Sequence, residues 1–386
     1  MGYADAVPFY VPWINKEDKK AVSDALKSRW LTGGPQVAQF EESFADYVGA
    51  KYAIAVNSCT AALHLAMRVL NIKPGDEAIV PVLTFAATAN APLFCGAKPV
   101  FADIDEKTFC LSPDDMAQRI TSKTKVIIPV HYGGQSCDMK EIQEIAEDHN
   151  IFLVEDCAHS LGAEYKGKKT GNFGEMGCFS FYPTKIITTL EGGMITTDNE
   201  NYARRLKMLR EHGMNRTALD RESKRTWHYD VVDVGYNYRL TEPQAALGLS
   251  QLKRVDEGIK RRIKAAKYYT RRLNQKISLR VTTPYEAPDR SHIFHLYTIK
   301  IEKEHAGNRR NELFQKLSEA GIQSSVHYTP LHLMSFYKQF LQEDQHGFPA
   351  AEKIYDEILS LPIYPTLTRK NMDNVTSKIA ESLQSS

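Results

Sequence analysis

Residues 177–193 read Gly-Cys-Phe-Ser-Phe-Tyr-Pro-Thr-Lys-Ile-Ile-Thr-Thr-Leu-Glu-Gly-Gly. The run Gly177–Phe181 is strand-like and mostly apolar, and Lys185 follows it closely. Burying a lone ammonium group costs free energy, so a lysine here is paired with an anion, extends its amine to solvent, or takes part in chemistry. Most of the 49 lysine and arginine residues belong to the solvated surface, and that role is the default for Lys185.

Short apolar runs alternate with helical patterns on both sides of this stretch, from the turn at Thr32–Pro35 to about residue 200. Seven strands with helices between them are typical of an α/β domain whose mostly parallel sheet is covered on both faces. The predicted strands are Tyr52–Val56, Ala78–Val82, Pro99–Asp103, Lys125–Val130, Ile151–Glu155, Gly177–Phe181 and Met194–Thr197.

Two capped helices flank this region. Asn15 is placed to cap a helix that follows the N-terminal arm, and Thr241 to cap one with Pro243 in its first turn. We therefore expect a large domain over residues 1–250, including the arm, and a smaller α+β domain over residues 251–386. In the smaller domain the predicted elements are the strands Ile293–Ile301 and Gln323–Tyr328 and the helices Asn311–Ala320 and Asn371–Leu383.

Composition and charge narrow the class of protein. The 386 residues are 42% hydrophobic and 25% charged, which is typical of a globular protein rather than a disordered one. A net charge of +2 gives no electrostatic reason to expect binding to nucleic acid or to an anionic membrane. Residues 78–97 carry no charge, but Pro81 and Pro92 interrupt them, which favours a buried strand and helix over a membrane span.

The cysteines and the first residues predict a cytoplasmic protein. The six cysteines contain no CxxC pair and lie scattered through the first half of the chain, which indicates reduced thiols. The segment Met1–Asp5 does not begin a secretory signal with a basic region and an apolar core.

Polar side chains follow the predicted strands at the edge of the sheet where open α/β proteins bind ligands. Ser58 and Thr60 begin a helix after the strand that ends at Val56. Hydroxyls and free amides at a helix N-terminus form a phosphate site. An equally good interpretation is that Ser58 or Thr60 simply caps the helix.

Asp156 follows another buried strand, and a carboxylate in this position needs a cationic partner. The protonated pyridine nitrogen of pyridoxal 5′-phosphate (PLP) is such a partner, and holding that proton makes the ring an electron sink. A metal ion or an ion pair fits Glu155 and Asp156 equally well. Phe85 lies at a third strand end, where its ring is suited to stacking on a flat cofactor or to the core. His159 is placed to contact the ring's substituents or to donate to a backbone carbonyl.

Other motifs fit less well. Residues 162–169 resemble a phosphate-binding P-loop until Lys169, where serine or threonine is required, and no GxGxxG motif opens the first strand–helix unit. The pairs His292 with His295 and His327 with His332 have no third metal ligand in a matching motif, so we expect no metal.

An ordered set of motifs resembles the DegT/DnrJ/EryC1/StrS family of PLP-dependent nucleotide-sugar aminotransferases over nearly the whole chain. The spacing is especially similar to members that aminate 4-keto-6-deoxy sugars on UDP. The matching stretches are residues 29–35, 57–63, 128–134, 155–160, 179–185, 191–193, 212–214, 235–240, 326–328 and 361–365. Each motif is weak alone, and the ordered set is specific.

The resemblance implies the aspartate aminotransferase fold (fold type I), the cofactor PLP, and an obligate homodimer with shared sites. Lys185 would hold the cofactor covalently and Asp156 would pair with its pyridine nitrogen, while Asn237 would reach the phosphate of the neighbouring subunit. The implied cofactor-binding residues are Ser58, Thr60, Ala61, Phe85, Asp156, His159, Ser180, Lys185 and Asn237. The implied substrate-binding residues are Tyr10, Arg29, Trp30, Leu31, Thr32, His327, Tyr328, Thr329 and Pro330.

The expected reaction is a transamination in which L-glutamate donates an amino group, leaves as 2-oxoglutarate, and a nucleotide-linked keto-sugar receives the group. Lys185 would carry the proton, which requires a lowered pKa of its amine. Leu190 departs from the family pattern, which commonly has glycine or alanine there, and it is placed to narrow the site. Alternatives are amination at C3, a keto-sugar dehydratase, and a non-catalytic scaffold. Dehydratase relatives carry histidine where Lys185 stands, and a scaffold has no need of Lys185 or Asp156.

Overall fold

A seven-stranded sheet forms the centre of the fold, in a computed structural model that describes residues 6–277, 280–301, 309–341 and 347–384. The strands along the chain are β1 (Tyr52–Val56), β2 (Glu77–Pro81), β3 (Lys98–Ala102), β4 (Thr124–Ile127), β5 (Phe152–Asp156), β6 (Glu164–Tyr165), β7 (Lys168–Lys169), β8 (Met176–Ser180), β9 (Gly193–Thr197), β10 (Val281–Thr282), β11 (Tyr297–Ile301) and β12 (Ile358–Leu361).

The strand order in the large sheet is β1-β9-β8-β5-β4-β2-β3. Only β9 runs antiparallel to its neighbours, β1 and β8. All residues of β2 and β9 are buried, and because successive side chains point to opposite faces, both faces of the sheet are covered there. The predicted α/β class and its seven strands are therefore confirmed, with ends shifted by up to three residues.

Helices pack around this sheet. They are α1 (Lys16–Leu26), α2 (Pro35–Val48), α3 (Cys59–Val69), α4 (Ala86–Phe94), α5 (Pro113–Gln118), α6 (Met139–Asp148), α7 (Glu200–Arg210), α8 (Ala218–Ser223), α9 (Glu242–Leu252), α10 (Val255–Ile277), α11 (Arg309–Glu319), α12 (Pro349–Glu357) and α13 (Arg369–Gln384).

The two predicted helix caps are present. The side chain of Asn15 accepts a hydrogen bond of 2.9 Å from the backbone N–H of Asp18, at the start of α1. Thr241 precedes α9, with Gln244 accepting from its backbone N–H. The uncharged residues 78–97 form most of β2, a turn and α4, as predicted. Within the described ranges, no helix is long and apolar enough to cross a membrane.

The C-terminal region contains a three-stranded sheet in the order β10-β11-β12, and here two strand predictions need correction. Residues 293–296 do not extend β11, because Phe294 has a left-handed backbone (φ 52°) and Ile293 and Leu296 bond to the glycine turn at 133–134. Gln323–Tyr328 is not a strand. Ser325 forms only an isolated bridge to Ser360. The strands that pair with β11 are β10 and β12, and neither was predicted.

A separate hydrophobic cluster lies in this region. It combines Val7 of the N-terminal arm with buried side chains from residues 265–383, including Tyr269, Tyr297 and Leu361. The predicted helices Asn311–Ala320 and Asn371–Leu383 correspond to α11 and α13. The division of the chain near residue 250 stays a prediction.

Candidate active site

A cavity of about 490 Å³ opens where several strands of the large sheet end. It receives side chains from the segments after β1, β2, β5 and β8, from the residues before β9, and from the C-terminal region. Ten predicted site residues line it: Tyr10, Ser58, Thr60, Phe85, Asp156, His159, Ser180, Lys185, His327 and Tyr328. The topology therefore brings together most of the predicted cofactor set.

Lys185 lies in the turn that follows β8, where its backbone N–H bonds to the carbonyl of Tyr182. Burial lowers the pKa of its amine to about 8, and the nearby Cys59 and Asp156 oppose that shift only partly. An amine with this pKa is neutral in about a tenth of the molecules at pH 7, far more than an ordinary lysine. Lys185 is thus suited to both nucleophilic attack and proton transfer.

Asp156 ends β5 and is 5% exposed. Its Oδ2 accepts 2.8 Å from the hydroxyl of Thr88, and its Oδ1 accepts 3.1 Å from the backbone N–H of Ala158. Burial raises the pKa of this carboxyl group, while these two donors and the charge of Lys185 lower it. A cationic group in the cavity would stabilise the ionised form further.

The predicted phosphate residues lie around the first turn of α3. Ser58 caps this helix and accepts a hydrogen bond of 3.1 Å from the backbone N–H of Ala61, so its capping role is real. Thr60 and Ser180 line the cavity, and Ala61 does not. A Cβ on Gly193 would come within 2.6 Å of the Ser58 backbone, so glycine lets β9 approach the helix terminus closely.

Four rings that contact one another also line the cavity: Phe85, His159, His295 and Tyr328. Phe85 exposes 61% of its surface, and its ring centroid lies 6.1 Å from that of Tyr328. His159 bonds to the hydroxyl of Tyr328 over 3.0 Å, and His295 packs on His159 with ring centroids 4.4 Å apart. Burial and the charge of Lys185 hold the pKa of His159 and His295 well below the usual range.

The other predicted residues lie outside this cavity. Arg29 pairs with Glu222 on the surface (2.7 Å), and Trp30, Leu31 and Thr32 follow it before α2. Asn237 is exposed, and Thr329 and Pro330 continue the chain beyond Tyr328. Leu190 is 61% exposed with a left-handed backbone (φ 70°), and Glu191 and Gly192 reach the cavity instead of it.

Several lining residues were missed by the sequence analysis. Tyr182, Thr184 and Glu191 flank Lys185 in the chain, so proximity to a candidate lysine was a usable signal. His295 had been considered only as half of a metal pair. Proximity to other predicted site residues would also have found Cys59, Leu63, Thr84, Ala87, Ala158 and Gly192. The remaining missed residues lie far along the chain from most of the predicted set or carry no local chemical signal: Phe9, Val130, Leu296, Gln323, Ser325 and Ile363.

Glu155 faces away from Asp156 and organises a loop. Its carboxylate accepts from the backbone N–H groups of Gly171 (2.8 Å), Phe173 (2.6 Å) and Gly174 (3.1 Å), and it bonds to Nε2 of His131 (3.0 Å). Among the described residues, His131, Glu155 and Cys157 are close enough to hold a metal ion. Hydrogen bonds already occupy both carboxylate oxygens and both imidazole nitrogens, the second accepting from Cys137, which favours a structural role.

The arrangement fits the predicted cofactor. A buried amine and a buried carboxylate share one cavity, an exposed ring lines its wall, and a helix N-terminus with hydroxyls borders it. The amine suits the aldehyde of PLP and the carboxylate suits its cationic ring nitrogen. The exposed ring suits its flat pyridine ring, and the helix N-terminus suits its phosphate.

Comparisons with known proteins agree with a PLP-binding site in this chain. The sequence pattern of the DegT/DnrJ/EryC1/StrS aminotransferase family matches residues 12–380. The spore coat polysaccharide biosynthesis protein SpsC of Bacillus subtilis is 43% identical, over 97% of this chain and 96% of its own. GDP-perosamine synthase of Caulobacter vibrioides is 39% identical, over 96% and 97%. The Spr1654 protein of Streptococcus pneumoniae superposes in its PMP-form with a TM-score of 0.92 and 32% identity, covering 98% and 99%, and it is also solved in a PLP-form.

Proposed function

The chain belongs to the DegT/DnrJ/EryC1/StrS aminotransferase family, and from that premise we propose that it transfers an amino group from L-glutamate to a nucleotide-linked 4-keto-6-deoxy sugar. The coarser conclusion is already firm: the protein is a sugar aminotransferase of fold type I that uses PLP, as predicted. The single observation that carries the proposal is the placing of the Lys185 amine and the Asp156 carboxylate in one cavity.

Three residues would hold the cofactor and set its chemistry. Lys185 would bind its aldehyde carbon, Asp156 would keep its ring nitrogen protonated, and Phe85 would orient the ring. When bound, PLP supplies an electron sink for the electrons released at the amino-bearing carbon. Ser58, Thr60 and Ser180 would bind the phosphate, assisted by the N-terminal end of α3.

Lys185 supplies the proton transfers. With a pKa of about 8, its Nζ accepts a proton from a substrate carbon and returns it without a large free-energy cost at neutral pH. Desolvation causes most of this shift, so the cavity walls themselves prepare the amine. The protonated ring nitrogen of the cofactor, when bound, would hold the carboxyl group of Asp156 in its ionised form.

We assign the sugar nucleotide to the side of the cavity formed by Tyr10, His327 and Tyr328. Phe9 stacks on His327 with centroids 5.4 Å apart, so the N-terminal arm and the C-terminal region meet there. UDP is the proposed nucleotide and C4 the proposed position, with C3 as the alternative. One relative is named for a GDP sugar and another for spore coat polysaccharide, so the proposed product is a 4-amino sugar nucleotide for surface glycans.

The complete site is proposed to need a second copy of the chain. Asn237 and the segment Arg29–Thr32 lie outside the cavity of their own chain, which is what shared sites require. Large apolar side chains are exposed next to predicted site residues, including Leu31 (52%) beside Trp30 and Tyr182 (46%) and Leu190 (61%) on either side of Lys185. A homodimer that covers them would bring these residues to the neighbouring cavity. The proposed location is the cytoplasm, which six free cysteines support.

A substrate panel tests the proposal. Holoenzyme is incubated with L-glutamate and with UDP-, dTDP- or GDP-linked 4-keto-6-deoxy sugars, and products are identified by mass spectrometry and NMR. We expect a 4-amino sugar from the UDP substrate. Turnover only of the GDP substrate would overturn the choice of nucleotide, and a 3-amino product would overturn the choice of position.

A further inference from the structure

The hydrogen bonds of His159 fix which of its two ring nitrogens accepts and which donates. The backbone N–H of Gly133 points at Nδ1 of His159 over 3.3 Å, and a backbone N–H can only donate. Nδ1 therefore accepts and carries no proton, so in the imidazole the proton is on Nε2. Protonating both nitrogens would set two donors against each other at Gly133.

The direction continues to Tyr328. Nε2 of His159 lies 3.0 Å from the hydroxyl of Tyr328, and because Nε2 carries the proton, the hydroxyl oxygen accepts. The surroundings keep His159 neutral. Burial and the charge of Lys185 hold the pKa of its imidazole well below the usual range, and His295 packs on it with a centroid distance of 4.4 Å.

The hydroxyl proton of Tyr328 takes no part in the bond to His159 and is available to donate to another acceptor. In the described part of the chain, this hydroxyl has no hydrogen-bond partner other than His159. The residue lines the cavity beside Phe85, and burial raises the pKa of its phenol, so the proton stays on the oxygen. Tyr132 anchors the neighbouring backbone by donating to the carbonyl of His327, which fixes where the phenol sits.

We propose that Tyr328 is a fixed hydrogen-bond donor to an oxygen of the molecule bound in the cavity, with its direction imposed by Gly133 through His159. This inference rests on the proposed function and extends it. The partner must be an acceptor oxygen. It is either the hydroxyl oxygen attached to the pyridine ring of the cofactor or a carbonyl or hydroxyl oxygen of the sugar. Tyr328 is a positioning residue in this account and not a general base.

Two measurements on Tyr328→Phe test the donor and identify its partner. If the partner is the cofactor oxygen, the pH titration of the visible absorbance of substrate-free holoenzyme shifts by about one unit. If it is the sugar oxygen, that titration is unchanged while KM for the keto-sugar rises about tenfold and the reaction with glutamate alone is unaffected. The control is Tyr297→Phe, which removes a 2.8 Å bond to Thr270 outside the cavity.

The direction of the hydrogen bond between His159 and Tyr328 is tested with His159→Gln and His159→Glu. Glutamine and glutamate have nearly the same shape as each other. Glutamine accepts from Gly133 through its oxygen and donates to Tyr328 through its nitrogen, whereas glutamate only accepts. The Tyr328→Phe effect should therefore persist in the glutamine background and shrink to less than about twofold in the glutamate background. An equal effect of Tyr328→Phe in the glutamine and glutamate backgrounds overturns the inference. So does a Tyr328→Phe protein whose absorbance titration and KM for the keto-sugar both stay within twofold of the wild-type values. The absorbance titration needs no sugar, so it detects a contact between Tyr328 and the cofactor even if the proposed substrate is wrong.

Discussion

Thr88 donates a hydrogen bond of 2.8 Å to the carboxylate of Asp156, and the hydroxyl of Thr84 lies 2.9 Å behind it. Because the Thr88 proton is committed to Asp156, Thr84 donates to Thr88, and the two hydroxyls form a chain that ends on the carboxylate. This chain offsets part of the cost of burying Asp156, since burial alone raises its pKa.

Replacing Thr88 should weaken cofactor binding. Thr88→Val removes a donor to a buried carboxylate, a contact of about 1.5–3 kcal/mol, so the Kd for PLP should rise about tenfold or more. The measurement is PLP titration of apoprotein followed by absorbance. Thr88→Ser keeps the hydroxyl and serves as the control. Equal Kd values for the valine and serine variants would show that Thr88 does not support Asp156.

Lys185 should make the stability of the apoprotein depend on pH. Its pKa is about 8 when folded and near 10.5 when unfolded, so between these values the unfolded chain binds more protons and stability rises with pH. Apo Lys185→Met should therefore be more stable than apo wild type at pH 7. The difference should narrow by up to about 1.4 kcal/mol per pH unit above pH 8. Denaturant unfolding from pH 7 to 10 measures it, and a constant difference would refute a lowered pKa.

Arg262 is a buried cation that holds two segments of the site. It donates to the carbonyl of Ile363 (2.9 Å) and, at 3.4 Å, to those of Phe294 and His295. Arg262→Met leaves these carbonyls without donors and should lower the free energy of unfolding by about 2–4 kcal/mol. The adjacent Arg261→Met breaks an exposed pair with Glu257 and a contact of its guanidinium with the Trp13 ring (4.6 Å), and it should cost about 1 kcal/mol or less. A similar loss of unfolding free energy for both variants would show that Arg262 does not hold the two segments of the site.

The proposed homodimer with shared sites predicts complementation between inactive subunits. Lys185→Ala and Asn237→Asp proteins should each be nearly inactive. When they are mixed, unfolded and refolded together, one site in each mixed dimer is intact, so about a quarter of wild-type activity should return. If Asn237 acts within its own chain, the mixture stays inactive.

The large sheet and much of the cavity could be predicted because local patterns determine them. Buried strands appear as short apolar runs, and parallel strands bring their following residues to one edge. This logic placed Ser58, Phe85, Asp156 and Lys185 around one cavity. Side chains of adjacent strand residues point to opposite faces of a sheet, which is why Asp156 reaches the cavity while Glu155 bonds to the loop at 171–174.

Long-range packing accounts for what was missed. β12 is a four-residue strand directly before Pro362, too short to display a clear period, and Gln323–Tyr328 has an apolar residue at Val326 without the pairing of a strand. His295 reaches the cavity because Arg262 and the turn at 133–134 hold its backbone, and nothing near residue 295 in the chain reveals this. Contacts made across hundreds of residues depend on the assembled fold.

The most direct test of the account asks which lysine holds the cofactor. Holoenzyme is reduced with borohydride, which fixes PLP to that lysine, and the digested protein is analysed by mass spectrometry. The account predicts one pyridoxyl group per chain, on Lys185, and none after prior treatment with L-glutamate, which removes the aldehyde. A pyridoxyl group on another lysine, or an untreated holoenzyme that acquires none, would contradict it.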